Sequence, residues 1–326
     1  MPRVLLIDSI PLLLPLAERF GLALPEGVTF DVVPSSSEED LAQRAAEADI
    51  LLVLGRQVDA HLLALAPRVR FIQKLGVGYD NLDLAALSAA GVVAAYTPGA
   101  NAQAVAEHTI LLMLALVKRF VAAETAVRQG GWQTQELVRA GLGDLATAAV
   151  GLIGFGNIGR AVAQRLQPFG ARVLYTARHA VDSALEAQLG VHFIATLDDL
   201  LAACDIISLH LPLSDATHGL LGEAEFARMR AGALLINTAR GDLVDESALR
   251  RALESGHLGG AGLDVLRNER PGGNPFADLP QVIVTPHIAG ASRAALAQLL
   301  RMAIANIERF LRGESPLDLV PLPSAS

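Results

Sequence analysis

The sequence predicts an α/β protein of two domains, each a parallel sheet with helices on both faces. Three observations carry this. The 326 residues exceed one ordinary core and suit two domains. Short apolar runs alternate with Ala/Leu-rich helical stretches in two separate series. The second series opens on a glycine-rich turn, GLIGFGNIG, set between a strand and a helix.

In the first series VLLID (4–8), ILLVL (50–54) and RFIQKLG (70–76) are predicted strands. EEDLAQRAAEA (38–48) and LDLAALSAAG (82–91) are predicted helices beside them. The second series begins near Ala149 with AAVGLIGFG and the helix IGRAVAQRLQPFG, which Pro168 and Gly170 end. ARVLYTAR, DIISLHLP, ALLINTARG, GGAGLDVL and QVIVTPH follow as strands, with a helix over 244–257 among them. A long apolar helix over 104–120 and the segment 130–145 separate the two series. The closing helix, 291–313, is expected to return to the first domain, with a PLDLVPLPSAS tail after it. The expected limits are 1–100 with 289–326 for one domain and 101–288 for the domain inserted between them.

Composition excludes several classes. The chain carries 26 Lys and Arg against 34 Asp and Glu, a net charge of −8, and no basic stripe, which argues against a nucleic-acid surface. No segment offers the roughly 18 unbroken apolar residues of a membrane span. The richest run, Thr109–Val117, stops at Lys118 and Arg119 and fits a buried helix. The amino terminus reaches Asp8 after a short apolar run, as a first strand does and a signal peptide does not. The single cysteine, Cys204, cannot form an internal disulfide; it fits a reducing cytoplasm and a small buried side chain better than a nucleophile. No His/Cys/Asp cluster has metal-ligand spacing, so no metal is expected.

Gly154, Gly156 and Gly159 form G-x-G-x-x-G. The first permits the tight turn, the second lets the backbone approach a pyrophosphate, and the third lets helix lie close on strand. The amides of Asn157 and Ile158 would meet the phosphates at the helix N-terminus. An acid is expected about 20 residues on, to accept from the ribose hydroxyls of NAD. LYTARHA stands there instead, with Ala177 and Arg178. An arginine attracts a 2′-phosphate that a carboxylate would repel, so NADP(H) is the expected cofactor, with NAD(H) as the alternative. Thr176 adds a hydroxyl at the same place.

Arg240, Glu269 and His287 each lie just beyond a predicted strand in the second series. Ligands bind outside the carboxyl ends of strands in open α/β sheets. Arginine holds a carboxylate bidentately, and histidine is the usual acid–base near neutral pH. A glutamate beside that histidine would favour its charged form and orient the ring. Spacing alone does not bring the three together. The other histidines, His61, His108, His179, His192, His210, His218 and His257, are expected to be structural. Trp132 in GGWQ is expected to pack between domains or subunits, with a substrate wall as the alternative.

LGVGYDNLDLAA, YTPGANAQAVAEHT, GLIGFGNIGRAVAQRL, LHLPLSDATHGLL, NTARGDLVDESAL, GLDVLRNE and VTPHIAGAS together resemble the D-isomer-specific 2-hydroxyacid dehydrogenases, in order and over nearly the whole chain. The resemblance implies a flavodoxin-like substrate domain, an inserted Rossmann-like nucleotide domain, an active site between them and a homodimer. It implies that Arg240, Glu269 and His287 are the catalytic set. The amides of Leu75, Gly76, Val77 and Gly78 would hold the substrate carboxylate. Asp264 would meet the nicotinamide carboxamide, Leu211 and Pro212 would line the adenine pocket, and Thr238 and Ala239 would lie along the cofactor, with Thr109, Ala289 and Gly290 in the same site. LYTARH is similar to the glyoxylate/hydroxypyruvate reductase branch, which implies NADPH and a small 2-oxo acid substrate. Two departures stand out. Arg270 intervenes between Glu269 and Pro271 where the family often has proline at once, so that loop is expected to differ in shape. Lys74 precedes the LGVG turn where phosphoglycerate dehydrogenases place a phosphate contact, which keeps a phosphorylated substrate as an alternative, weakened because no regulatory domain follows Gly313. Corepressors that sense nucleotide on this fold are the alternative from another class. Formate dehydrogenases resemble the chain but have glutamine where Glu269 stands.

Overall fold

Apolar side chains cover both faces of the first sheet. β1 (Arg3–Leu6), β2 (Thr29–Val32), β3 (Ile50–Val53), β4 (Phe71–Lys74) and β5 (Val93–Ala95) pair in parallel in the order β2-β1-β3-β4-β5. Helices α1 (Leu13–Arg19), α2 (Glu38–Ala45), α3 (Ala60–Leu65) and α4 (Leu84–Ala90) connect them. Leu5, Ile7, Leu51, Val53 and Ile72 point into one cluster with Leu41, Leu62 and Leu87 of the helices. Val4, Leu6, Ile50, Leu52 and Phe71 point the other way. Strand side chains alternate with period two, so an unbroken apolar run demands cover on both sides. The computed structural model describes residues 1–8, 13–35 and 37–323, so the last three residues of the expected tail lie outside it.

The second unit opens on α5 (Ala102–Val117), α6 (Phe120–Arg128) and α7 (Thr134–Ala140). Its strands are β6 (Ala149–Ile153), β7 (Arg172–Thr176), β8 (Val191–Phe193), β9 (Ile206–Leu209), β10 (Ala233–Asn237), β11 (Leu258–Leu263) and β12 (Val282–Val284). Between them run α8 (Asn157–Leu166), α9 (Ser183–Leu189), α10 (Leu197–Ala203), α11 (Glu223–Arg228) and α12 (Glu246–Glu254). The described strands form one parallel sheet in the order β12-β11-β10-β9-β6-β7-β8. The order reverses between β6 and β9, which is where a doubly wound sheet opens its ligand crevice. Cys204 is buried here against Gly151, and burial pushes its thiol up to about 12, so it is a core side chain and no nucleophile.

α13 (Arg293–Leu311) belongs to the first unit, capped at its start by Ser292. Leu300, Ala303 and Ile307 close the face that Val4 and Phe71 open. Each large apolar side chain buried there contributes roughly 1.5–3 kcal/mol. A buried polar pair fixes the register: Asn306 Nδ2 donates to Gln73 Oε1 of β4 at 3.0 Å and its Oδ1 accepts from Leu317 N at 2.8 Å. The units are Met1–Asn101 with Ser292–Ser326, and Ala102–Ala291, so the limits fall one and three residues beyond those expected. No helix among the described residues is long and apolar enough to cross a membrane.

Candidate active site and cofactor site

The three glycines of the turn meet three different surroundings. Gly154 has φ +96, and a Cβ there would stand 2.5 Å from the His210 carbonyl oxygen, beyond β9. A Cβ on Gly159 would stand 2.4 Å from the Gly154 carbonyl oxygen, so that glycine lets α8 sit against the turn. At Gly156 a Cβ would meet nothing within 4 Å. That open position is where a ligand can approach the backbone. α2, α3, α4, α9, α10, α12 and α13 carry a side-chain acceptor on their first amides, whereas α8 carries none at its N-cap, Gly156. The amides at Asn157 and Ile158 and the partial positive charge of the helix end are left for an anion. The residues present therefore fit a dinucleotide pyrophosphate.

β7 supplies the neighbouring wall. Thr176 O accepts from Gly154 N at 2.9 Å, which ties the end of β7 to the glycine turn. Tyr175 stacks on Phe155 with centroids 4.0 Å apart, and its hydroxyl accepts from Val181 N at 2.9 Å. The loop carrying Ala177 and Arg178 is thus pinned at both ends. Arg178 is exposed and makes no hydrogen bond or ion pair among the described residues. Leu211 lies 2.9 Å from the Cβ that Gly154 lacks, while Pro212 is exposed, its carbonyl accepting from the Thr217 hydroxyl at 2.8 Å.

Arg240, Glu269 and His287 follow β10, β11 and β12, three adjacent strands, so all lie at one end of the sheet. His287 Nδ1 lies 2.8 Å from Glu269 Oε2, both partly open to solvent. Arg240 is half-buried and its NH1 donates to the Ala239 carbonyl at 2.7 Å. Asn237, 1% exposed, staples the turn from inside: its Oδ1 accepts from Ala239 N at 3.0 Å and its Nδ2 donates to Arg240 O at 2.8 Å. Gly241 lets the next loop come close, since a Cβ there would stand 2.2 Å from the Leu266 carbonyl carbon on the way to Glu269. Beyond Glu269 the chain folds back on itself, with Gly273 N donating to Arg270 O at 2.8 Å, so Arg270 and Pro271 sit within a tight turn.

His287 is one of the few described non-glycine residues at positive φ, 54°. Such a conformation costs about 1–3 kcal/mol and persists only when neighbours hold it. Asp264 is the holder. Its carbonyl accepts from His287 N at 2.8 Å, its Oδ1 from Ile288 N at 3.0 Å and its Oδ2 from Ala289 N at 2.8 Å. The carboxylate is 1% exposed. Gly290 follows, half-buried, one residue beyond this grip. Thr109 is fully buried, and its hydroxyl donates to Val105 O and contacts Thr238 Oγ1 at 3.0 Å, which makes it a support for Thr238 from α5.

In the first unit, the turn Leu75–Gly78 follows β4. Leu75 N donates to Val53 O at 2.7 Å and Gly76 N to the Thr97 hydroxyl at 3.1 Å. Those two amides are spent within the fold. The amides of Val77 and Gly78 have no acceptor among the described residues and are the ones open to an anion. Lys74, 6% exposed, turns its ammonium onto the Leu54 carbonyl.

Of the remaining histidines, two are tied into this end of the sheet in ways the sequence did not indicate. His210, just past β9, has Nε2 at 3.0 Å from Ser208 Oγ, a buried and unpartnered Nδ1, and a basicity that burial pushes down to about 3. His108 lies inside α5 and contacts Thr285 at 2.9 Å. His108 and Thr285 are revealed by partners far along the chain, whereas Asn237 bonds within its own turn.

Residues 110–289 match the family model described as D-isomer specific 2-hydroxyacid dehydrogenase, NAD binding domain. The chain belongs to the D-isomer specific 2-hydroxyacid dehydrogenases. It is 36% identical over 324 residues to a glyoxylate reductase of Korarchaeum cryptofilum, covering 98% of this chain and 96% of that one. It is 37% identical over 313 residues to a D-3-phosphoglycerate dehydrogenase of Mycobacterium tuberculosis, covering 94% of this chain but 57% of that longer one. The crystal structure of a glyoxylate reductase from Paecilomyes thermophila superposes with a TM-score of 0.84 at 29% identity, covering 98% of both chains. This dehydrogenase is therefore an oxidoreductase of small 2-hydroxy acids with a nicotinamide cofactor, and the doubly wound unit that starts at Ala102 contains the matched NAD binding domain.

Proposed function

We propose that this dehydrogenase is an NADPH-preferring reductase of small 2-oxo acids, with glyoxylate and hydroxypyruvate as its substrates and D-2-hydroxy acids as products where the product is chiral. The observation that carries the reading is the His287–Glu269 pair, 2.8 Å apart, with Arg240 at the same end of the sheet. When bound, the reduced nicotinamide supplies the hydride. Arg240 binds the substrate carboxylate as a planar, always-charged donor and polarises the adjacent carbonyl. His287, oriented by Glu269, donates a proton to the carbonyl oxygen as negative charge develops there. In the first unit, the open amides of Val77 and Gly78 are donors that the family resemblance assigns to a substrate carboxylate. Gly154, Gly156, Asn157, Ile158 and Gly159 would hold the pyrophosphate, and Thr176 and Arg178 the 2′-phosphate. Leu211 and Pro212 would line the adenine, and Thr238, Ala239, Asp264, Ala289 and Gly290 would border the nicotinamide. Consumption of NADPH and NADH by the purified protein, with glyoxylate, hydroxypyruvate, pyruvate and phosphohydroxypyruvate in turn, tests the reading. Failure on both non-phosphorylated leading substrates overturns it.

A phosphorylated substrate is the second reading. Lys74 favours it, since its ammonium lies 3.4 Å from the Cβ that Gly76 lacks, at the start of the anion-binding turn. Its burial and its bond to the Leu54 carbonyl weigh against it, because a phosphate contact needs that ammonium turned outward.

A homodimer is the assembly this reading carries. α5, α6 and α7 expose Leu111, Phe120, Val127 and Val138, with Trp132 82% exposed just before α7. Single exposed apolar residues are ordinary, but a cluster on consecutive helices marks an interface. A cavity of about 720 Å³ opens beside it, lined by Leu116, Val121, Ala122 and Ile283 among others. The cytoplasm is the compartment this reading assigns, because the one cysteine is buried as a thiol.

A further inference from the structure

We propose that His108 is a positioning residue for the acid–base step: through Thr285 it fixes the Asp264 carboxylate that clamps the backbone just after His287. The inference rests on His287 acting as the proton donor proposed above. His108 stands in α5, 177 residues before Thr285 in the chain. Its Nε2 lies 2.9 Å from Thr285 Oγ1 and 3.5 Å from Asp264 Oδ1. The Thr285 hydroxyl donates to Asp264 Oδ1 at 2.5 Å. That hydroxyl has one proton, and the carboxylate takes it, so its lone pair accepts from His108 Nε2–H. The order is therefore His108 to Thr285 to Asp264, every donor pointing the same way.

The far end of this chain is the loop of His287. Asp264 receives the amides of Ile288 and Ala289 on its two carboxylate oxygens and the amide of His287 on its carbonyl. His287 sits at φ 54 between those contacts. A residue in the left-handed region needs neighbours that over-determine it. A carboxylate buried to 1% exposure holds two amides at fixed angles only if it is itself held. Thr285 supplies that hold on Oδ1, the oxygen that also receives the Ile288 amide, and His108 backs Thr285. A histidine with a side chain 12% exposed inside an apolar helix is otherwise a costly choice, and leucine would pack there without a polar atom to satisfy. The adjacent Thr109 braces Thr238, two residues before Arg240, so one turn of α5 supports both loops that carry the catalytic arginine and histidine.

His108→Leu and Thr285→Val remove the donors; His108→Gln and Thr285→Ser retain one at nearly the same place. Two readouts apply. Site-resolved amide exchange in the protein without cofactor should quicken at Ile288 and Ala289 by about tenfold in His108→Leu and Thr285→Val, as expected for a lost bond to a charged group. It should stay near wild type in the conservative pair. In the same two disruptive variants kcat for 2-oxo acid reduction should fall about tenfold while the KM for reduced cofactor changes less than about twofold, with the conservative variants restoring kcat. Unchanged exchange at both amides in both disruptive variants overturns the proposal whatever the activity. Faster exchange with undiminished kcat overturns it too, since the clamp would then not serve the proton donor. Wild-type protein inactive on every 2-oxo acid would instead refute the reading of function, and the exchange arm would still decide the clamp. Should Thr285→Val fail to fold, the His108 pair alone decides.

Discussion

His287 presents Nδ1 to Glu269 at 2.8 Å while its own backbone is held at φ 54 by Asp264. Ring and backbone are thus fixed by two different carboxyl residues, which leaves Nε2 as the nitrogen available to a substrate.

Truncating either member of that pair separates proton donation from orientation. His287→Ala should lower kcat by roughly 100-fold or more, the usual loss when a positioned acid–base group is removed. Glu269→Gln keeps an oxygen acceptor for Nδ1–H but loses the charge, whereas Glu269→Ala loses both. Steady-state kinetics with glyoxylate should therefore rank activity as wild type, then Glu269→Gln, then Glu269→Ala, with the cofactor KM little changed. Equal activity of the Ala variant and wild type would show that the 2.8 Å contact has no catalytic consequence.

The carboxyl ends of β10, β11 and β12 were legible because an Arg, a Glu and a His directly after apolar runs are an unusual set, and such ends are where an α/β sheet binds ligands. The glycine turn was legible because Gly154 and Gly159 each answer a separate steric demand and Gly156 leaves the backbone open between them. Three strands were not. β2, β5 and β8 are sheet edges of three or four residues; Asp31 and His192 interrupt the apolar runs of β2 and β8, and the short β5 follows directly on a predicted helix. The support of the site was also hidden. Asn237 looks like the end of a strand although its side chain staples the two or three residues that follow, and His108 looks like a polar interruption of a buried helix that acquires meaning only from a partner the fold brings up. At the Leu75–Gly78 turn the sequence proposes four amides, but Val53 and Thr97 take two of them, a competition that no local pattern reveals.

His210 should make the fold sensitive to acid. Burial lowers it from its ordinary 6.5 to about 3, so the folded state refuses a proton that the unfolded chain accepts. The sign follows from linkage: its contribution is intact above about pH 6.5 and is lost progressively as pH falls toward 3. The loss is at most about 1.4 kcal/mol per pH unit. Urea unfolding at several pH values between neutral and mildly acidic should show this slope in wild type and a shallower one in His210→Gln. Parallel slopes in the two proteins would mean that His210 is not held neutral.

The apolar face of α5–α7 predicts the outcome of a charge insertion. Val138, 70% exposed, and Phe120, 61% exposed, would be buried in a dimer, where an aspartate finds no water. Val138→Asp or Phe120→Asp should weaken association by at least about 3 kcal/mol, or roughly 100-fold in dissociation constant. Light scattering across a dilution series should then give monomer mass for the variants at concentrations where wild type is dimeric. Monomeric wild type, or dimers unaffected by both changes, would assign the exposed face to something other than a second copy.

Arg178 decides between the two cofactors. It is exposed at the end of β7, without a partner among the described residues, next to Ala177 where an acid would otherwise accept from a ribose. A charge-assisted bond to a 2′-phosphate contributes roughly 1.5–3 kcal/mol, about a 10- to 150-fold preference. Exposure to solvent and salt puts this contact at the lower end of that range. Arg178→Ala should raise the KM for NADPH by that factor and leave NADH nearly unchanged, because only the former carries the extra phosphate. Adding Ala177→Asp to it should supply the ribose acceptor and reverse the preference. Added salt should weaken NADPH binding by wild type more than NADH binding, and the excess should vanish in Arg178→Ala. The measurement is the ratio of kcat/KM for NADPH and NADH in wild type and in Arg178→Ala under one buffer. If that ratio does not move, Arg178 is a solvated surface side chain, and the absent acid needs a cause other than a 2′-phosphate.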